Sequence, residues 1–205
     1  MPSVSHDGEE GAPILETPRL WLRRPRIEDF ERYAEAMADE VVARYIGGVQ
    51  PRAAAWRRFL QMPGAWALQG FAMFSLIDKA SGRWLGQCGP WRPEGWPGNE
   101  IGWSLHRDAW GQGYATEAAE ASLAYAFDVL GWTEAVHCID PANAASQHVA
   151  ARVGSRKLRT AVLPPPYDDT VVDVWGQSRE EWRARRAAVA GAGNDAGNVP
   201  AERAR

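Results

Sequence analysis

Polar and apolar positions along this chain switch repeatedly between two spacings, and the switches mark its elements. RLWLR (Arg19–Arg23) alternates polar with apolar side chains, which is the period of a strand. Ile27 to Tyr45 reads as one helix, opened by acidic Glu28 and Asp29 near its positive end and stopped by Gly47 and Gly48. Pro51 suits a first helical position, and a second helix is predicted to about Gln61. FAMFSLI (Phe71–Ile77) and WLGQCGPW (Trp84–Trp91) flank the turn DKASGR as two strands, and EIGWSL (Glu100–Leu105) is a third. A glycine-containing loop then leads into a long helix to about Leu130. Its apolar face is Ala115, Ala119, Leu123, Ala126, Phe127 and Leu130, and Gly131 closes it. EAVHCID (Glu134–Asp140) reads as a strand. Asn143 caps a short helix to about Val153, and Lys157–Leu163 and Thr170–Gly176 form a last pair of strands. Consecutive strands argue antiparallel pairing and the strand–helix–strand unit argues a parallel pair. The expectation is one α/β domain, a mixed sheet with helices on both faces.

Composition narrows the class. With 205 residues, 45% hydrophobic and 24% charged, the chain suits one soluble domain, bounded here as residues 13–186. Residues 1–12 and the Ala/Gly-rich tail 187–205 have no apolar period and are expected to be disordered. A net charge of −3 offers no basic surface for nucleic acid or anionic membrane. Neither a signal peptide nor a run of about 18 apolar residues is present, so a cytoplasmic protein is expected. Cys88 and Cys138 are too few for a disulfide framework. His106, His137 and His148 share no metal-ligand spacing, and no metal is expected. His137 lies on a strand among buried positions and reads as a core residue; His106 and His148 read as surface or loop residues. Eleven tryptophans require either a large core or an apolar groove, and composition does not choose between them.

The most informative segment is EIGWSLHRDAWGQGYATEA, in which a strand, a loop with Gly111 and Gly113, and a helix start follow one another. Glycines let backbone N–H groups face a ligand, and the first helical N–H groups are unpaired at the positive end of the dipole. Together they make an anion site fit for a pyrophosphate. A dinucleotide fingerprint is disfavoured. Its third glycine position is Thr116, several strands precede the loop, and no acidic residue follows at the expected distance. The P-loop string is absent.

The segment Trp110-Gly111-Gln112-Gly113-Tyr114-Ala115 resembles the cofactor motif Q/R-x-x-G-x-G/A of the GCN5-related N-acetyltransferases (GNAT), with Trp110 at the Gln/Arg position. TPRLWLRRPRIEDF, EIGWSL, NAASQHVAARVG and YDDTVVDVWG are similar, in the same order, to elements of that family's ribosomal-protein (RimJ/RimL-type) branch, over roughly residues 14 to 183. One departure is Val153-Gly154-Ser155, where the family has Leu-Gly-Phe; a local repacking is expected there.

The resemblance implies a GNAT fold with a mostly antiparallel seven-stranded sheet whose central parallel pair splays apart. It also implies acetyl-CoA as the donor, a primary amine as acceptor (a protein N-terminus or a small molecule), and direct attack with no acyl-enzyme. A homodimer is common in such families. The backbone of Trp103, Ser104 and Leu105 would lie along the pantetheine arm. Trp110, Gly111, Gln112, Gly113, Tyr114, Ala115 and Thr116 would hold the pyrophosphate. Asn143 would reach the arm from the other side, unless it serves only as a cap. Glu100 is the candidate base, or else a strand-start Glu paired with an Arg. The tyrosine that many relatives carry seven residues after the Asn is Ala150 here. The acid candidates are therefore Ser146, which otherwise bonds the Asn143 cap, and Tyr167, which otherwise walls the substrate pocket. Tyr33, Tyr45, Trp56, Trp66, Trp91, Trp96 and Tyr167 would form an aromatic acceptor wall or pack the core. The alternative function is an acyl-CoA-binding regulatory module without turnover.

Overall fold

The computed structural model describes residues 14–195, so the segments 1–13 and 196–205, including most of the stretches expected to be disordered, lie outside the described residues. Its centre is one eight-stranded sheet. The strands are β1 (Leu15–Glu16), β2 (Leu20–Arg23), β3 (Phe74–Asp78), β4 (Trp84–Trp91), β5 (Glu100–Leu105), β6 (Glu134–Ile139), β7 (Arg156–Val162) and β8 (Val171–Ser178). They lie in the order β1-β2-β3-β4-β5-β6-β8-β7, one strand more than the seven expected, because Leu15–Glu16 pairs with Leu22 and Trp21 of β2. All neighbours are antiparallel except β5 and β6. The parallel pair meets at a single register position, Glu100 opposite Val136, and separates beyond it.

Helices cover both faces. On one side α1 (Phe30–Ala38), α2 (Glu40–Ala43) and α3 (Arg52–Phe59) pack Phe30, Tyr33, Met37 and Phe59 on Ile77 and Trp84. On the other, α5 (Tyr114–Asp128) buries Ala118, Ala119, Leu123 and Phe127 against Leu22, Leu76, Ile101 and Leu105. α4 (Gln61–Gln69), α6 (Ala144–Arg152) and α7 (Arg179–Asp195) complete the set. No described helix is long and apolar enough to cross a membrane.

Three sequence expectations are corrected. The single helix Ile27–Tyr45 is a 3₁₀ turn (Ile27–Asp29) followed by two helices, because Asp39 is extended and its carboxylate accepts from the Val41 and Val42 amides, acting as an internal N-cap. α4 was hidden by Pro63 and Gly64; Pro63 falls in the first turn, where its missing N–H costs nothing, and Gly70 closes the helix with a φ of +78°. The tail expected to be disordered from residue 187 is helical to Asp195. Its anchors are tertiary: Trp182 packs on Phe127, Arg185 pairs with Glu120, and Arg183 with Asp128. Burial on α5 also extends beyond its one apolar stripe: Ser122 meets Cys88 on β4 at 3.6 Å, Tyr125 packs on Phe74 of β3, and Ala124 is buried as well.

A buried polar cluster joins β2, β3 and the first turn. Arg23 forms a two-pronged pair with Asp29 at 2.6 and 2.8 Å, Ser75 Oγ donates to the same carboxylate at 2.6 Å, and Trp84 Nε1 donates to Ser75 at 3.1 Å.

Candidate active site

Glu100 stands where β5 and β6 part. Its side chain is 7% exposed and accepts two hydrogen bonds, from the Cys138 amide at 2.9 Å and the Trp96 indole at 2.5 Å. No arginine among the described residues pairs with it. Burial pushes its carboxyl up to about 7, against the lowering effect of those two donors.

His137 shapes the gap. Its Nδ1 meets the Ile101 carbonyl at 2.6 Å and its Nε2 meets Ser155 Oγ at 2.9 Å. Burial pulls its pKa down to about 4, so the ring is neutral at pH 7. A carbonyl only accepts, so Nδ1 carries the proton and Nε2 accepts from Ser155. Gln177 in turn donates to Ser155 at 3.0 Å and to the Val153 carbonyl at 2.8 Å. Ser155, where an apolar residue was expected, therefore has a partner: the departure is matched by a buried histidine two strands away. The core placement of His137 holds. His148 is exposed, and His106 is half-buried with Nδ1 at 2.9 Å from Asp108.

Since the Ile101 carbonyl faces the gap, alternation along the strand turns the Trp103 backbone to the same edge. His106 donates its amide to Leu85 on β4, so the Ser104 backbone faces β4 rather than the gap; Ser104 offers the cavity its side chain instead. The Leu105 carbonyl accepts from the Trp110 indole at 2.9 Å, and the Leu105 side chain is in the core. Across the gap, the Asn143 Oδ1 caps α6 by accepting from the Ser146 amide at 3.1 Å. Both residues also line the cavity. Ser146 Oγ accepts from the Trp103 indole at 3.3 Å, which leaves its own proton available to another acceptor.

The loop after β5 has the conformation its glycines suggest. Gly111 and Gly113 have φ of +73° and +80°, and Gly113 is the residue before α5. Tyr114, Ala115 and Thr116 form the first turn, with their amides at the positive end of the helix. Arg19 braces this loop. It donates to the Gln112 carbonyl at 2.9 Å, pairs with Glu117 at 2.6 Å, and lies 4.3 Å over the Tyr114 ring. The Gln112 side chain is spent on the Asp108 carbonyl.

A cavity of about 380 Å³ opens from the gap onto the α1–α4 side of the sheet. Glu100, Trp103, Ser104, Asn143, Ser146 and Tyr167 all line it, so the structure brings together six of the positions singled out in the sequence; the loop 110–116 lies apart from it. Of the aromatic candidates, Tyr45, Trp91, Trp96 and Tyr167 are in the wall, whereas Tyr33, Trp56 and Trp66 pack among helices and sheet. Sequence reasoning missed Met73, Gln87 and Arg58. Met73 reaches Gly102, where a Cβ would lie 2.4 Å from its methyl group; the glycine inside a strand was the available signal. Cys138 also faces the cavity, but burial and then the neighbouring Glu100 push its thiol up, which keeps it un-ionised.

The family model for the acetyltransferase (GNAT) domain matches residues 19–156. The chain belongs to the GNAT acetyltransferase family. This GNAT chain is 32% identical over 136 residues to the uncharacterized N-acetyltransferase p20 of Bacillus licheniformis, covering 64% of this chain and 76% of that protein. It is 40% identical over 93 residues to the uncharacterized protein YkkB of Bacillus subtilis (strain 168), covering 44% of this chain and only 54% of that protein. Its fold superposes on the acetyltransferase from Agrobacterium tumefaciens str. C58 with a TM-score of 0.71 and 28% identity, covering 85% of this chain and 99% of that one. The splayed β5–β6 pair, Arg19 and Glu100 all lie within the matched residues.

Proposed function

We propose that this protein transfers an acetyl group from acetyl-CoA to a primary amine by direct attack within a ternary complex. The observation that carries the reading is Glu100: a carboxyl buried at the apex of a strand gap, raised to about 7, and open to a cavity. The donor set fits CoA. The amides from Gly111 to Thr116 suit the pyrophosphate, and the gap-facing backbone of Trp103 with Asn143 suits the two amides of the pantetheine arm; the Asn143 Nδ2 has no partner among the described residues.

In this reading the amine nitrogen bonds to the thioester carbon and its proton passes to Glu100, directly or through water. The carbon–sulfur bond breaks, and the departing sulfur accepts a hydrogen bond from Ser146. Tyr167, in the turn between β7 and β8, serves the acceptor wall rather than the sulfur, since its ring neighbour is Trp96. The motif strings favour the RimJ/RimL-type branch. The cavity volume is that of a small-ligand site, which favours a small amine over a long polypeptide end.

The direct test is CoA release with a panel of amines; binding of acetyl-CoA with no release from any amine removes the enzymatic reading. Two variants probe the parts. Gly113→Val, strained by its positive φ, raises the KM for acetyl-CoA at least about tenfold, the cost of a lost charge-assisted bond. Gly70→Ala, with a similar φ far from the loop, serves as the control; equal KM changes in both would refute the loop assignment. Ser146→Ala lowers kcat about tenfold with little change in that KM, and an unchanged kcat removes Ser146 as the hydrogen-bond donor.

A further inference from the structure

Arg58, on α3, is the only lysine or arginine among the described residues that line the cavity. Its Nη1 donates to the Ile46 carbonyl at 2.5 Å, and no carboxylate among the described residues pairs with it. Three other partly buried arginines do have such partners, Arg23 with Asp29, Arg32 with Asp108 and Arg185 with Glu120; half-buried Arg179 has none among the described residues but lies outside the cavity. A half-buried guanidinium without a counter-charge is costly, and an anion arriving in the cavity relieves that cost.

Two phenols stand with it. A Cβ on Gly47 would lie 3.5 Å from Arg58 Nη1 and 3.2 Å from Tyr167 Cε1, so the guanidinium and the Tyr167 ring flank the same glycine. Tyr33, buried behind them, is within electrostatic reach of both and bonds Gln87. Of the two phenols only Tyr167 is in the cavity wall, and a guanidinium beside a phenol is a donor set that matches a carboxylate.

The acidic end lies across two rings. Trp96 donates its indole N–H to Glu100, and its ring meets the edge of Tyr167 with centroids 6.5 Å apart. The order along the wall is therefore Glu100, Trp96, Tyr167, Arg58. Asp140, which follows β6 on the Glu100 side, is occupied by the Ala142 amide, and Glu94 is exposed.

We propose that the acceptor is an amine carrying a carboxylate at the far end of a flat apolar body, its nitrogen delivered to Glu100 and its carboxylate held by Arg58. The inference rests on the acetyl-transfer reading of the same cavity. An α-amino acid has both groups on one carbon and does not span the two rings. A polycationic amine meets Arg58 as a like charge.

The test is calorimetric titration of the full chain, saturated with CoA, using 4-(aminomethyl)benzoate and its biphenyl homologue, the carboxamide of each, and phenylalanine. Turnover with acetyl-CoA is followed in parallel. At least one carboxylate is expected to bind about tenfold or more tightly than its carboxamide, with phenylalanine weakest. Arg58→Gln erases that difference, and Arg58→Lys, which keeps the charge but not the fork, retains part of it. Equal affinity for acid and amide in the unaltered protein overturns the proposal. So does an acid preference that survives in Arg58→Gln with a native circular dichroism spectrum. Acid-selective binding without acetylation of any probe would instead remove the acetyl-transfer reading and leave the carboxylate site standing.

Discussion

Glu100→Gln lowers kcat by about a hundredfold, the lower end of what a positioned base supplies, and removes the acid limb of the pH–rate profile. A base works deprotonated, so wild-type kcat/KM rises as pH passes through about 7, the value to which burial has raised Glu100. The variant has no such limb. The same carboxyl leaves a signature in stability. Its folded pKa lies above its unfolded value of 4.5, so the protonated form is favoured by folding. Its contribution is fully present below pH 4.5 and is lost as pH rises to about 7. Across that window the stability of the wild type should fall relative to Glu100→Gln by something on the order of 3 kcal/mol. Denaturant titrations of both proteins at pH 4.5 and 8 measure it. A variant with full kcat and an unshifted profile would leave water, not Glu100, as the base.

Asp29→Ala costs about 3–5 kcal/mol of stability, because it strands the Arg23 guanidinium in the core without a counter-charge. The side chains of the pair are only 11% and 2% exposed, so water does not replace the lost partner. Ser75 loses its acceptor and Trp84 keeps a partner that is itself freed. For a domain of this size the melting temperature falls by about 10 °C. Replacing Arg23 and Asp29 together by Met and Leu recovers most of the loss, since no charge is then left unpaired. A melting temperature within about 2 °C of wild type for Asp29→Ala would show that the cluster relaxes to solvent instead.

How much of this was legible beforehand depended on the range of the cause. β4 and β5 lie at Trp84–Trp91 and Glu100–Leu105, where the turn DKASGR and the loop RPEGWPG bound them in the sequence, and α6 starts after Asn143 because a cap acts over three residues. The break at Asp39 was also local, an Asp before a fresh helical turn, yet it lay inside a stretch that reads as continuously helical. α7 was not legible, since its anchors Phe127, Asp128 and Glu120 lie more than fifty residues away on α5. The additional strand, β1, is two residues long and has no period to detect.

Within the site, residue types were legible and environments were not. Gly111 and Gly113 declare their own backbone conformation, because positive φ belongs to the residue itself. Glu100, Asn143 and Ser146 could be named from the motif order. The tautomer of His137, the partner of Ser155 and the exposure of Arg58 to the cavity come from groups far apart in the chain.

The sequence by itself determined the order of the longer strands and helices and the glycine torsions of the loop before α5, which follow from periodicity, capping and residue type acting over a few neighbours; its motif strings carried the family resemblance. Only the tertiary structure decided that β5 and β6 meet at one position and part, that Glu100 is dry enough to titrate near 7, and that a guanidinium without a carboxylate faces it across two aromatic rings. Desolvation and the pairing of charges depend on what the whole chain brings alongside a group, and no local pattern encodes that.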